Sequence, residues 1–221
     1  TTVRERIARS CEGVGRDPGE VTLVVVTKFF PTSDVRILAD LGVTDVGENR
    51  HQEAEEKAAG LEDLRLTWHF IGGLQSNKAA AVATYADVVH SVDPSAVVGG
   101  LSRGAHERGR GLECLLQVCL DPPDATVRSR CEQTDEPALV VRIGDAEGLH
   151  LRGVMGVAPL GGDAGEAFAR LAEVASDVRT QAPGATWISA GMSADLELAV
   201  KHGATHLRIG SAVLRPRPVV Q

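Results

Sequence analysis

Long apolar runs, aromatic side chains and basic charge are all scarce in this sequence of 221 residues. No apolar stretch reaches the ~20 residues that a transmembrane helix needs, so we expect no membrane partner. Lys and Arg number 23 against 30 Asp and Glu, which gives a formal net charge of −7. A phosphate backbone repels an acidic chain, so we also expect no nucleic-acid partner.

Cysteine is sparse as well, and its spacing contains no motif. Cys11, Cys114, Cys119 and Cys131 form no CxxC pair, which argues against a zinc site or a disulfide framework and predicts reduced thiols. We expect Cys114 and Cys119 to share a strand, and we expect no bound metal. The opening stretch "TTVRERIARSCEGVG" is charged throughout. It lacks the apolar centre of a secretory signal, so the sequence predicts a cytoplasmic protein.

The chain does contain a regular series of short apolar segments rich in β-branched residues. There are eight of them, separated by stretches long enough for a helix, and this pattern is typical of a parallel sheet with helical crossovers. One such stretch, "DAGEAFARLAEVASDVRTQ", places Phe168, Leu171, Ala175 and Val178 on one helical face. The predicted strands span residues 21–27, 45–47, 67–72, 88–92, 113–119, 150–156, 186–190 and 206–210.

Eight strand and helix units favour a closed barrel. The sequence predicts an α/β fold formed by a single (β/α)8 TIM barrel, of minimal size because such barrels average about 250 residues. We expect a single domain over residues 1–221. The tail "LRPRPVVQ" is too short and proline-rich for a full last helix, so a helix over 3–11 is expected before the first strand and should help to close the structure. An open doubly wound sheet is the alternative fold. The polar segment 121–137 is expected to be mobile.

Polar side chains follow several of these strands, where the chemistry of a barrel is found. The buried run "VTLVVVT" is followed by Lys28, which is either the first solvated residue after the strand or an amine that acts as a nucleophile. The next strand ends near Asn49 in "GEN", the third carries His69 in "WHFIGG", and the last carries Arg208 in "RIGSA". The motif "HSVD" at 90–93 is interpreted as a strand end.

Two glycine-bearing turns follow the last two strands. In "GMSADLELAVKHG", Ser193 is expected to cap a helix that Gly203 ends, and in "RIGSAV" the turn contains Gly210 and Ser211. Barrels commonly bind phosphate in these two loops, although Ser193 alone could be an ordinary helix cap. A phosphate site, a strand-end lysine and an arginine together favour pyridoxal 5′-phosphate, whose ring nitrogen enzymes pair with a carboxylate or an arginine.

The sequence resembles the pyridoxal phosphate homeostasis proteins (YggS/PROSC type), whose barrel is similar to the cofactor domain of alanine racemase. The resemblance runs over about residues 3–218 and rests on five ordered motifs. They are "VVVTKFFP", "VGENRHQE", "WHFIGGLQSNKA", "LRGVMGVAP" and "GMSADLELAVKHGATHLRIGSA".

This resemblance implies a role for each candidate residue. Lys28 would carry pyridoxal phosphate as an aldimine, a Schiff base, and Arg208 would face the pyridine nitrogen. The phosphate would be held by Ser193 with the backbone of Gly210 and Ser211. Asn49 and His69 would line the same pocket.

Three functions are consistent with such a site. The first is a carrier that stores pyridoxal phosphate in vitamin B6 homeostasis or delivers it to apo-enzymes, and such a carrier is expected to be a monomer. The second is an enzyme of low activity, such as an amino-acid racemase or lyase. A protonated arginine weakens the ring as an electron sink, and Tyr85, the only tyrosine, is expected in a helix far from the strand ends. The third is a cofactor-free aldolase that uses Lys28.

The charged segment "HQEAEEKAAG" is interpreted as a solvated helix face.

Overall fold

Parallel strands form a closed barrel in this protein, as the sequence predicts. The computed structural model describes residues 2–93, 95–121 and 135–214, and in these ranges eight strands follow one another around the barrel in chain order. The strands are β1 (Thr22–Val26), β2 (Asp45–Glu48), β3 (Thr67–Phe70), β4 (Val88–Val92), β5 (Leu112–Val118), β6 (Leu149–Gly156), β7 (Trp187–Ser189) and β8 (His206–Ile209). The ring closes where β1 pairs with β8, with Val24 beside Arg208.

Helices alternate with these strands along the described chain. They are α1 (Val3–Glu12), α2 (Thr32–Asp40), α3 (His51–Gly60), α4 (Ala79–Tyr85), α5 (Val98–Arg108), α6 (Glu136–Gly144), α7 (Ala164–Gln181) and α8 (Leu196–Lys201), with 3₁₀ turns at Pro18–Glu20, Ser76–Lys78 and Ser95–Val97. Helix α1 precedes β1, and each later helix joins two consecutive strands. The carboxyl ends of the strands therefore meet at one mouth of the barrel. Within the described ranges, no helix is long and apolar enough to cross a bilayer.

Local sequence signals explain where the longest helix begins and which face it buries. Asp163 caps α7, because its carboxylate accepts hydrogen bonds from the backbone N–H groups of Gly165 and Glu166. Its buried face consists of Ala167 and the four predicted residues Phe168, Leu171, Ala175 and Val178. The apolar spacing of this segment was thus sufficient to predict how it packs.

The N-terminal helix packs against α8 and braces the turn before it. The Arg6 guanidinium makes two hydrogen bonds with the Glu197 carboxylate, at 2.7 and 2.8 Å, and a third with the backbone carbonyl of Ser193 at 3.0 Å. Arg16, after α1, donates to the carbonyl of Ala204 at 3.0 Å. The segment ahead of the barrel therefore packs against the elements that close it, which agrees with the expectation that the N-terminal helix helps to close the structure.

The expectation of free thiols is wrong at Cys119. Cys11 and Cys114 are buried and free, but Cys119 is disulfide-bonded and lies just after β5 rather than in it. Spacing along the chain could not predict this, because it does not show which thiols a fold brings together. Cys131 lies outside the described residues, as do most of the segment 121–137 and the tail from 215.

Candidate cofactor site

Lys28 lies in a tight turn after β1, which we call the lysine turn (residues 27–29). Thr27 is fully buried, Lys28 is half-buried at the barrel mouth, and Phe29 is exposed. Phe29 has a φ of 68°, a left-handed conformation that costs a non-glycine residue about 1–3 kcal/mol. Its N–H donates to the Glu53 carboxylate at 2.5 Å. The lysine turn is therefore stabilised in this conformation by a hydrogen bond to a residue of α3.

A buried ion-pair cluster lies directly behind the lysine turn. Lys57 Nζ is 2.6 Å from Glu48 Oε1, 2.7 Å from Glu53 Oε1 and 2.8 Å from the Thr27 carbonyl oxygen. The Thr27 hydroxyl also donates to Glu48 at 2.6 Å. Burial raises the pKa of Glu48, although the hydrogen bond from Lys57 opposes that shift. The interpretation of 51–60 as a solvated face is thus wrong at Lys57, which is 5% exposed.

The lysine turn opens onto a cavity of about 460 Å³, which we call the first cavity. This size is within the usual range for small-molecule sites, roughly 300–1,000 Å³. Six of the seven residues predicted for the site line it: Lys28, Asn49, Ser193, Arg208, Gly210 and Ser211. Apolar side chains complete most of the wall, among them Val26, Ile71 and Val157. The closed barrel brings these residues together from the ends of distant strands.

The chemistry of the wall favours an anion that is attached to an apolar ring. Among the described residues that line the first cavity, the titratable side chains are Lys28 and Arg208, and none is a carboxylate. Hydroxyl groups are supplied by Ser193 and Ser211. An amine, a guanidinium, two hydroxyls and an apolar surface fit pyridoxal phosphate, whose aldehyde, ring and phosphate need these partners.

The two turns predicted to hold phosphate touch each other. Ser193 Oγ accepts a hydrogen bond from the Ser211 hydroxyl at 3.1 Å and another from the Ala212 N–H at 3.2 Å. However, Ser193 does not cap a helix: α8 begins at Leu196, and the residue before it is Asp195. The Asp195 carboxylate instead accepts a hydrogen bond from the backbone N–H of Met192. This hydrogen bond stabilises the turn before α8. Ser193 is therefore free of a capping role and lies at the cavity wall.

Arg208 is buried beneath the first cavity and is held by neutral acceptors. Its Nη1 donates to Ser189 Oγ at 2.6 Å, and its Nη2 donates to the Gly156 carbonyl at 2.9 Å. Burial lowers the pKa of Arg208 to about 10. The side chain consequently keeps its charge at neutral pH, although none of the described residues on the cavity wall is a carboxylate.

A chain of hydrogen bonds runs from Arg208 down the barrel interior. Ser189 Oγ lies 2.8 Å from His90 Nδ1, His90 Nε2 lies 2.8 Å from His69 Nδ1, and His69 Nε2 lies 2.9 Å from Asp45 Oδ1. The carboxylate at one end only accepts and the guanidinium at the other only donates, so each group between them donates towards Asp45. Burial lowers the pKa of His90 well below its ordinary value, so this imidazole stays neutral.

His69 is thus the one predicted site residue that the structure places elsewhere. It is 2% exposed and level with Gly47 in the neighbouring strand, two positions before Asn49. Its ring is buried in the hydrogen-bonded chain rather than at the wall of the first cavity. The sequence offered one signal for these hydrogen bonds, since the apolar strands β3 and β4 each contain a histidine, His69 and His90.

Tyr85 is nearer to the mouth than expected. It ends α4, but its ring stacks on that of His51 with 5.9 Å between centroids, and His51 begins α3. Its hydroxyl is buried without a hydrogen-bond partner in the described residues, and burial raises its pKa. The phenol is therefore neutral and belongs to the helix layer, outside the first cavity.

Comparison with known proteins defines the family. A family model described as "Alanine racemase, N-terminal domain" matches residues 16–218, so the chain belongs to this class of barrels. Within that class the chain belongs to the pyridoxal phosphate homeostasis proteins. The protein of that name from Mycobacterium tuberculosis is 42% identical over 234 residues, covering 97% of this chain and 90% of the relative. The one from Corynebacterium glutamicum is 38% identical over 224 residues, covering 98% and 100%.

Solved structures agree with this assignment. PipY from Synechococcus elongatus, in a structure with pyridoxal phosphate bound, is 37% identical with a TM-score of 0.77, and the match covers 94% of this chain and 99% of that one. D-threonine aldolase from Filomicrobium marinum has a TM-score of 0.64 at 19% identity, which shows a shared fold only. The predicted resemblance and the predicted barrel are both confirmed.

Proposed function

We propose that this protein binds pyridoxal 5′-phosphate in vitamin B6 homeostasis and holds it on Lys28 for storage or delivery. The observation that carries the proposal is the first cavity, whose described wall combines Lys28, Arg208 and two serine hydroxyls and contains no carboxylate. The names of the relatives and the pyridoxal phosphate bound to PipY support the choice of cofactor.

Each group on the wall has a part in holding the cofactor. The hydroxyls of Ser193 and Ser211, with the backbone at Gly210, would bind the phosphate, and Val26 and Ile71 would lie against the ring. Arg208 would donate to the ring nitrogen, because a guanidinium cannot accept a proton at neutral pH. When bound, pyridoxal phosphate supplies an aldehyde that condenses with an amine.

The same geometry favours a carrier over an efficient enzyme. Racemases and lyases need side chains that move protons at the α-carbon, and at the described wall of the first cavity Lys28 is the one such group beside the permanently charged Arg208. Neutral His90 and Ser189 support that arginine instead of a carboxylate. A ring nitrogen that faces a guanidinium stays unprotonated and withdraws electrons weakly.

The remaining sequence expectations form part of this proposal. Residues 1–221 would act as one cofactor-binding unit, as a monomer in the cytoplasm. Apo-enzymes that require pyridoxal phosphate would be the recipients of the cofactor.

Two assays on the cofactor-loaded protein test the proposal. We expect it to activate an apo-enzyme faster than the cofactor dissociates spontaneously, and we expect little solvent deuterium at the α-carbon of added L-amino acids. The absence of an acid or base typically costs about two to four powers of ten in rate. Exchange at ordinary enzyme rates would favour a racemase or lyase, whereas activation no faster than dissociation would restrict the role to storage.

Ser193→Ala should weaken cofactor binding by roughly ten- to a hundredfold. The substitution removes one hydrogen bond to a charged acceptor, worth about 1.5–3 kcal/mol. Equilibrium dialysis against pyridoxal phosphate measures the change. Ser176→Ala, on the exposed face of α7, is the matched control and should bind as the wild type does. Unchanged affinity in Ser193→Ala would place the phosphate elsewhere.

A further inference from the structure

A second cavity of about 490 Å³ opens beside the first, at the ends of β2 to β5. The two cavities share Asn49 on their walls. None of the predicted cofactor contacts other than Asn49 lines this second cavity, so the proposed function leaves it without a role. Its volume is large enough for a cofactor-sized molecule.

Two cations line the second cavity without a carboxylate partner. They are Arg50 and Lys78. In the described part of the chain Arg50 contacts the ring of Phe29, 4.9 Å from its centroid, and no carboxylate lies within ion-pair distance of either cation. Their combined charge exceeds that of Asp93, the one carboxylate among the described residues that line this wall. The cavity therefore attracts anions.

The start of α3 adds to this positive field. Arg50, His51 and Gln52, at the first turn of the helix, all line the cavity. No side chain caps this end of the helix, which is 10 residues long. Uncapped N–H groups at a helix start bind anions and carry the positive end of the helix dipole.

Buried polar atoms without partners lie at the same wall. Ser91 is 2% exposed, and its Oγ has no hydrogen-bond partner in the described structure. The Nδ1 of His51 is buried and unpaired as well. Buried polar groups in native proteins are nearly always hydrogen-bonded, so these two groups point to a ligand that completes them.

We propose that the second cavity is an anion subsite that takes the phosphate group of a phosphorylated small molecule. Arg50, Lys78 and the first turn of α3 neutralise the phosphate, and Ser91 and His51 donate to its oxygens. The identity of the molecule rests on the proposed function: a vitamin B6 phosphate ester would occupy this subsite before or after it occupies the first cavity. Two phosphate sites joined at Asn49 give a carrier a place to hold cofactor that is not attached to Lys28.

Pyridoxine 5′-phosphate is the probe that tests this subsite, because it has no aldehyde and cannot link to Lys28. Calorimetric titration of the wild-type chain should resolve two classes of site. Arg50→Met/Lys78→Met should weaken one class at least tenfold and leave the other unchanged. Lys201→Met, on the exposed face of α8, should keep both classes. Inorganic phosphate should compete at the second class, and acetate should not.

Ser91→Ala separates a ligand role from a structural one. A structural hydroxyl would lower thermal stability when removed, but an unpaired buried hydroxyl should leave the melting temperature unchanged or raise it. We therefore expect several-fold weaker probe binding at the second class without loss of stability. This variant also keeps the test valid if the double variant folds poorly.

A single class of site in the wild type would overturn the proposal, and so would a second class that is insensitive to the Arg50 and Lys78 substitutions. Competition by acetate in place of phosphate would overturn the assignment to phosphate. If borohydride reduction of the chain loaded with pyridoxal phosphate attaches a pyridoxyl group to no lysine but the second class of site persists, the proposed function fails and the subsite stands. If Lys28 carries the pyridoxyl group but titration shows a single class of site, the proposed function stands and the subsite proposal fails.

Discussion

Replacing Lys57 with methionine is expected to lower the free energy of unfolding by about 3–5 kcal/mol, because removing one partner of a buried ion pair leaves an uncompensated charge. The charge left behind is that of Glu48, which is 1% exposed and keeps one oxygen without a partner even in the native cluster. Urea unfolding of the cofactor-free protein measures the loss. Lys201→Met is the matched control, and its effect should stay within about 0.5 kcal/mol, as is usual for surface positions.

The loss should depend on pH in a defined direction. The pKa of Glu48 in the folded protein is raised above its ordinary value of 4.5, so the folded state binds the proton more tightly than the unfolded state does. Stability therefore falls as pH rises through the interval between the two values. Without Lys57 the folded pKa rises further, so the variant should lose more stability at pH 8 than at pH 5. Lys57→Met/Glu48→Gln should recover much of the loss, and no recovery would mean that Lys57 acts through packing.

The barrel itself was predictable because its signals are local. Each strand is recognisable in the sequence as a short run rich in β-branched residues. The observed bounds differ from the predicted ones by at most two residues. For example, β7 is Trp187–Ser189 against the predicted 186–190, and β3 is Thr67–Phe70 against the predicted 67–72. Strand ends are set by hydrogen bonds to neighbouring strands, and a single sequence does not contain them. The order of strands followed from the rule that consecutive parallel strands joined by helices lie side by side.

The first cavity was predictable for the same reason, but the groups that support it were not. Lys28, Ser193 and Arg208 each follow or lie in a recognisable strand, so the barrel rule places them at one mouth. Lys57 lies in a segment whose charges suggest a solvated helix, and its burial depends on Glu48 from β2 and on the Thr27 carbonyl. Such contacts join residues that are distant in sequence and exist only once the barrel has closed.

The hydrogen-bonded chain in the barrel interior was not predictable for the same reason, because it joins residues that are distant in sequence. Its members come from β2, β3, β4, β7 and β8, and no two of them are adjacent in sequence. His69 was assigned to the pocket because it lies near the end of a strand. However, the alternation of side chains along that strand directs it to the interior, one layer below the mouth.

Lys28→Ala is expected to abolish covalent retention of the cofactor. The chain has four lysines, and Lys28 is the one on the wall of the first cavity. Lys57 has its amine in three hydrogen bonds behind the lysine turn, and a lysine that is paired in this way is not available to attack an aldehyde. Lys201 is exposed on α8 and is not among the residues that line either cavity.

The measurement is borohydride reduction of the protein loaded with pyridoxal phosphate, followed by peptide mass analysis. Wild-type protein and the control Lys201→Ala should carry one pyridoxyl group, on the peptide that contains Lys28. Lys28→Ala should carry none, while the phosphate contacts of Ser193 and the contact of Arg208 with the ring nitrogen still allow weak, reversible binding. A stoichiometric label on Lys78 in the wild-type protein would move covalent attachment to the second cavity. A label on Lys57 would require the buried cluster to open, and it should then be accompanied by the loss of stability predicted for Lys57→Met.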